Sequence, residues 1–223
     1  PLIISLDHLK ELSLLYDSDF SDMPAWNPEQ ISYGDLIEFK TGLLKRAYER
    51  FSDNNIHDNF SGNKELMDEY NSFCENSVWL EDYALFMAGK DYHNGMPWYM
   101  WEDNLKKPTK RQRETWINKL EREMGYYKFI QFIFYYEWTN LKKYANDKGV
   151  SIIGDIPIYM GYDSVEVWAG QKEFQLDENL TPVKVAGVPP DAFSDKGQKW
   201  GNPLYDWDKM EADGFLWWRK RMK

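Results

Sequence analysis

The 223-residue chain is 43% hydrophobic and 17% aromatic, which excludes disorder as a description of the whole. Its 27 Lys and Arg against 37 Asp and Glu leave a net charge of −10, so nucleic acid and anionic lipid are disfavoured partners, and no apolar run reaches membrane-spanning length. Cys74 is the single cysteine, so no internal disulfide can form; a reducing compartment, the cytoplasm, is expected.

Pro1–Leu6 reads as extended chain, followed by a helical turn over Leu9–Leu15 and a loop holding Pro24 and Pro28. Leu36, Phe39, Leu43, Ala47 and Phe51 recur three or four residues apart, predicting a helix from Gly34 that Asp53-Asn54-Asn55 ends. Further helices are predicted over Asn63–Glu75 and Val78–Tyr92, the second stopping at the breaker cluster His93-Asn94-Gly95-Met96-Pro97. The basic stretch Lys106–Arg113 is short and contains Pro108, so it reads as a linker entering a helix. From Trp116 through Leu120, Met124, Tyr127, Gln131, Phe134, Trp138 and Leu141 to Ala145 the spacing predicts one long helix, capped by Gly149. The period then changes. Residues 151–160 are short, β-branched and apolar, as a buried parallel strand is. A small hairpin is predicted over 173–186, a long loop without periodicity over 187–205, and a helix from Asp208. The start without methionine and the stop inside an amphipathic pattern at Phe215–Lys223 suit either a processed complete protein or a piece of a longer one.

The chemistry concentrates in the 187–205 loop. Phe193 and Trp200 are apolar residues on a polar segment, and Asp191, Gln198 and Asn202 can each hydrogen-bond hydroxyls. Flat aromatic faces beside amides and carboxylates suit a sugar ring; the alternative is a surface loop whose aromatics plug it onto the domain. Asp155, set in an apolar strand, needs either a ligand or neighbouring backbone amides to offset its desolvation. Asp163 and Ser164 read as a helix cap, and Gln131 as a satisfied core amide. His8, His57 and His93 match no metal spacing or triad, and the Asn59-Phe60-Ser61 sequon stands without a signal peptide. No phosphate loop, dinucleotide fingerprint or nucleophile elbow is present, and Met87, Met96 and Met100 read as filler.

Four ordered blocks narrow this further: Ile153–Tyr159, Asp163–Trp168, Val185–Ser194 and Gly197–Tyr205. Together they resemble the 4-α-glucanotransferases of the amylomaltase family, with weaker matches at Trp98–Trp101, Tyr127–Phe132, Glu137-Trp138, Tyr33-Gly34 and Pro1–Leu15. The resemblance implies an α/β fold, part of a (β/α)8 TIM barrel with a largely helical inserted subdomain. It divides the chain into that subdomain at 1–110 and a barrel portion at 111–223. It implies retaining transfer of α-1,4-glucan segments between maltodextrins, with neither metal nor organic cofactor. Asp155 falls on an active-site aspartate of the family, while Asp191, Phe193, Gln198, Trp200 and Asn202 fall on a loop over the sugars. The family's nucleophile motif, Arg-x-Asp-His, and its acid/base belong beyond Lys223, so no residue of this chain takes a catalytic role. The resemblance thus favours a piece of a larger enzyme, inactive alone and prone to self-association through an unpaired strand. The other reading is a non-catalytic α-glucan-binding or interaction module.

Overall fold

The structure, a computed structural model, describes residues 1–27, 29–54 and 63–222, so His57, the Asn59-Phe60-Ser61 sequon and Pro28 lie outside the described residues. In chain order the helices are α1 (Leu6–Glu11), α2 (Tyr33–Asn54), α3 (Asn63–Asn76), α4 (Leu80–Tyr92), α5 (Asp103–Lys106), α6 (Lys110–Lys119), α7 (Glu121–Asp147) and α8 (Val165–Ala169). Two strands follow, β1 (Val185–Val188) and β2 (Gln198–Pro203), then α9 (Trp207–Ala212) and α10 (Leu216–Arg221). The chain packs into two units, Pro1–Ala84 with Arg122–Ile153, and Leu85–Glu121 with Gly154–Lys223.

The first unit is helical, and its core is aromatic. α2 buries Leu43, Leu44, Ala47 and Phe51, and α7 buries Met124, Phe129, Ile130 and Ile133. The Phe51 ring lies 4.9 Å from Phe129 and 5.2 Å from Tyr70. Burying such a ring stabilises the fold by roughly 1.5–3 kcal/mol. That burial also pushes the Tyr70 hydroxyl and the Cys74 thiol above their ordinary pKa values. Ser5 caps α1 by accepting from the His8 amide, while its own amide donates to both Glu137 carboxylate oxygens at 3.1 Å. Gln131 donates to the Tyr83 hydroxyl at 3.1 Å, as a satisfied core amide should. α7 ends as predicted: Gly149 takes φ +75, and the Val150 and Gly149 amides close back on Ala145 and Asn146.

The single helix expected from Trp116 to Ala145 is instead two. Leu120, with φ −111 and ψ 20, ends α6, and the boundary between the units falls one residue later. The apolar stripe continues across the break because spacing reports which side is buried, not whether the hydrogen-bond ladder is continuous. Beyond Phe134 the stripe is exposed, with Trp138 at 37% and Leu141 at 55%.

The second unit is built around Trp98, Trp101 and Trp168, whose indole N–H groups each find a backbone carbonyl. Trp98 donates to Tyr162 O at 2.7 Å, Trp101 to Met96 O at 2.9 Å and Trp168 to Leu105 O at 3.0 Å. β1 and β2 form an antiparallel pair running Val185↔Pro203 to Val188↔Gln198, with a bulge between Val185 and Gly187. The segment predicted as an unstructured loop is therefore a hairpin. Gly187 lets the strands approach, since a Cβ there would stand 2.4 Å from Gln198 O. The predicted 173–186 hairpin is reduced to one bridge, Leu176↔Pro182, around a turn at Asp177.

Residues 151–160 correct the sequence reading most. They form no strand, and Ile153 and Ile158 are 94% and 68% exposed. A strand exists only through its neighbours, and no described residue forms a ladder with this segment. The described residues contain a two-stranded sheet and no barrel.

Candidate functional site

All six residues singled out in the sequence belong to the second unit, on the hairpin and on the irregular segment at 155–160. Asp191 opens the turn between the strands. Its Oδ1 accepts from the Phe193 and Ser194 amides, both at 2.9 Å, and its own amide donates to Ser194 O at 3.0 Å. This turn lifts Phe193 to 94% exposure, with no ring contact to any described residue. Gln198 and Trp200 stand two apart on β2 and so share a face, where the indole N–H donates to Gln198 Oε1 at 3.0 Å. The Trp200 ring is 48% exposed and lies 6.2 Å from Tyr159, edge to face. Further along β2, past the irregularity at Gly201, Asn202 turns its amide to Met160 O at 2.9 Å.

The structure thus brings Gln198, Trp200 and Tyr159 together as one aromatic and amide surface. Phe193 and Asp155 stay separate from it. Asp155 is exposed, and no described protein group bonds its carboxylate, so the backbone-amide alternative for that residue finds no support. Ser164 caps α8, accepting from the Val167 amide at 3.4 Å, whereas Asp163 bonds Lys90 at 2.6 Å and the Trp98 amide at 3.2 Å. Burial pushes the Tyr162 hydroxyl up to about 12, so at neutral pH it remains a donor, to Leu180 O at 2.9 Å. No group of three metal-binding side chains occurs among the described residues.

Two residues escaped the sequence reading. Tyr159 was placed on the predicted strand, and Tyr205 was the last residue of the predicted loop. Tyr205 is 1% exposed and donates to Ile158 O at 2.7 Å. A tyrosine closing a polar, proline-bounded run was the available signal. Elsewhere, an open groove of about 980 Å³ in the first unit is lined by Phe73, Tyr135 and the carboxylates of Glu65, Asp68 and Glu69, and by none of the six candidates.

An exposed aromatic and amide hairpin on a helix-rich α/β scaffold is suited to ligands with flat apolar faces and hydroxyl rims. A family profile described as 4-alpha-glucanotransferase matches residues 1–223, and the chain belongs to that family. It is 40% identical over 225 residues to the 4-alpha-glucanotransferase of a Synechocystis species, covering 100% of this chain and 43% of the relative. The 4-alpha-glucanotransferase of Clostridium butyricum is 42% identical, with 100% and 44% covered. Among solved structures, amylomaltase from Streptococcus agalactiae in complex with acarbose matches with a TM-score of 0.89 and 33% identity, over 99% of this chain and 43% of that one. The chain spans well under half the length of these relatives.

Proposed function

We propose that the protein carrying this chain is a 4-α-glucanotransferase that moves α-1,4-glucan segments between maltodextrins with retention of configuration. A carboxylate attacks C1 of the donor, and the departing glucan takes its proton from a second carboxyl. The 4-hydroxyl of an acceptor glucan then returns a proton to that carboxylate and attacks C1, releasing the nucleophile. Neither catalytic role is assigned to a residue of this chain. Its contribution is a wall of the substrate cleft, in which Trp200, Phe193 and Gln198 meet sugar faces and hydroxyls and Asp155 offers an unbonded carboxylate. Asp191 keeps Oδ2, and Asn202 its amide oxygen, for the same purpose. Shielding by the aromatics would favour an acceptor sugar over water. On the same reading the whole protein is a (β/α)8-barrel enzyme of the cytoplasm that works without a metal or organic cofactor.

The full-length family match carries this reading, and the exposure of the hairpin aromatics supports it. Incubation with maltotriose tests it. The whole protein is expected to form longer maltodextrins and glucose, and the 223-residue chain alone none; no products from the whole protein would end the proposal. Tight maltoheptaose binding by the chain alone, abolished in Trp200→Ala, would favour the binding-module reading instead.

A further inference from the structure

The segment 155–160, neither helix nor strand and bent at Ile158 and Tyr159, carries Asp155 and Tyr159, and among the described residues no strand lies beside it. Its backbone carbonyls are met by side chains from outside the segment rather than by a ladder. Tyr205 Oη donates to Ile158 O at 2.7 Å, Asn202 Nδ2 to Met160 O at 2.9 Å, and Arg221 Nη2 to Pro157 O at 3.5 Å. Two of these donors sit at the end of the hairpin that bears Trp200. The Tyr205 ring is fixed by neighbours on several sides, with Trp207 at 5.1 Å, Phe174 at 5.2 Å, Trp218 at 5.3 Å and Trp217 at 5.5 Å. Tyr159 stacks on the same ring at 6.3 Å and meets Trp200 at 6.2 Å. Phenylalanine would fill that space equally well, so ring packing does not account for the hydroxyl.

We propose that Tyr205 and Asn202 are positioning residues: they fasten the 155–160 segment to the hairpin and so set the spacing between Asp155 and the Trp200–Tyr159 surface that a glucan chain meets. The second half of this statement rests on the glucanotransferase reading; the fastening itself does not. Asn202 thereby acts through the backbone of Met160 more than through its own contact with sugar.

The test compares Tyr205→Phe with Tyr162→Phe in the whole protein. The second variant loses an equivalent tyrosine–carbonyl bond, 2.9 Å to Leu180 O, in the same unit but outside the segment. Maltoheptaose affinity is read by calorimetry, and the release of the segment by the rate of chymotryptic cleavage after Tyr159. Tyr205→Phe is expected to weaken binding about tenfold and to speed that cleavage about tenfold, while Tyr162→Phe changes neither. Unchanged binding in Tyr205→Phe, or equal weakening in Tyr162→Phe, would overturn the positioning role. An unchanged cleavage rate after Tyr159 would overturn the fastening. If the unmodified protein binds no maltoheptaose, the glucan reading fails and cleavage alone decides the fastening. Should Tyr205→Phe not fold, Asn202→Ala carries the cleavage measurement under the same criteria.

Discussion

Asp19 is 8% exposed and survives there as a carboxylate because the first unit surrounds it with donors. Arg50 Nη2 reaches it at 2.9 Å, Arg46 Nη1 at 3.2 Å and the Tyr16 amide at 2.8 Å, while the Arg50 guanidinium lies 4.5 Å above the Tyr16 ring. Arg50 is the largest cause holding its carboxyl well below the usual range, against a desolvation that acts the other way. Because the folded pKa is the depressed one, the contribution to stability is complete above the unfolded value of about 3.9 and is lost as pH falls below it. Asp19→Asn is expected to cost about 2 kcal/mol at pH 7 and to flatten the acid limb of a melting-temperature profile. A mutant profile parallel to that of the unmodified protein would contradict this. The sequence could not announce Asp19, since its two arginines lie on α2, 27 and 31 residues away. Asp191 was legible as a polar residue of the loop, but its use in holding the turn beneath Phe193 depended on the backbone geometry.

At the scale of elements, the long helices were readable because their buried stripes are regular and their ends are marked, as at Gly149. The hairpin was not. β2 reads Gln-Lys-Trp-Gly-Asn-Pro, and its first four residues are exposed, so no alternation of apolar and polar residues betrays a strand. What holds it is the close approach of backbones at Gly187. Gly187→Ala forces a methyl group against the Gln198 carbonyl and is expected to destabilise the protein by about 1–3 kcal/mol, measured by denaturant unfolding. A loss below roughly 0.5 kcal/mol would show that the strands can part without consequence.

For the molecule as a whole, the four sequence blocks identified the family, and the profile match extends over all 223 residues. The expected barrel strand at 151–160 was correct in its apolar character and wrong in its state, since apolarity marks a surface that wants covering rather than one that is covered. With Ile153 and Ile158 at 94% and 68% exposure and no ladder to residues 151–160 among the described residues, the isolated chain is expected to associate with further copies through this apolar segment. Light scattering of the isolated chain is expected to show species larger than a monomer, and Ile153→Lys to reduce them. A monodisperse monomer with a sharp cooperative melt would refute that expectation.

Cys74 has a practical consequence at this same scale. It is the chain's sole thiol, it is half-buried, and burial raises its pKa, so little of it is thiolate at neutral pH. The isolated chain is therefore close to a blank background for thiol chemistry. A cysteine introduced at the exposed hairpin tip, as in Asp195→Cys, would outreact it and take up a fluorophore or spin label beside Phe193 without any native residue having to be removed elsewhere.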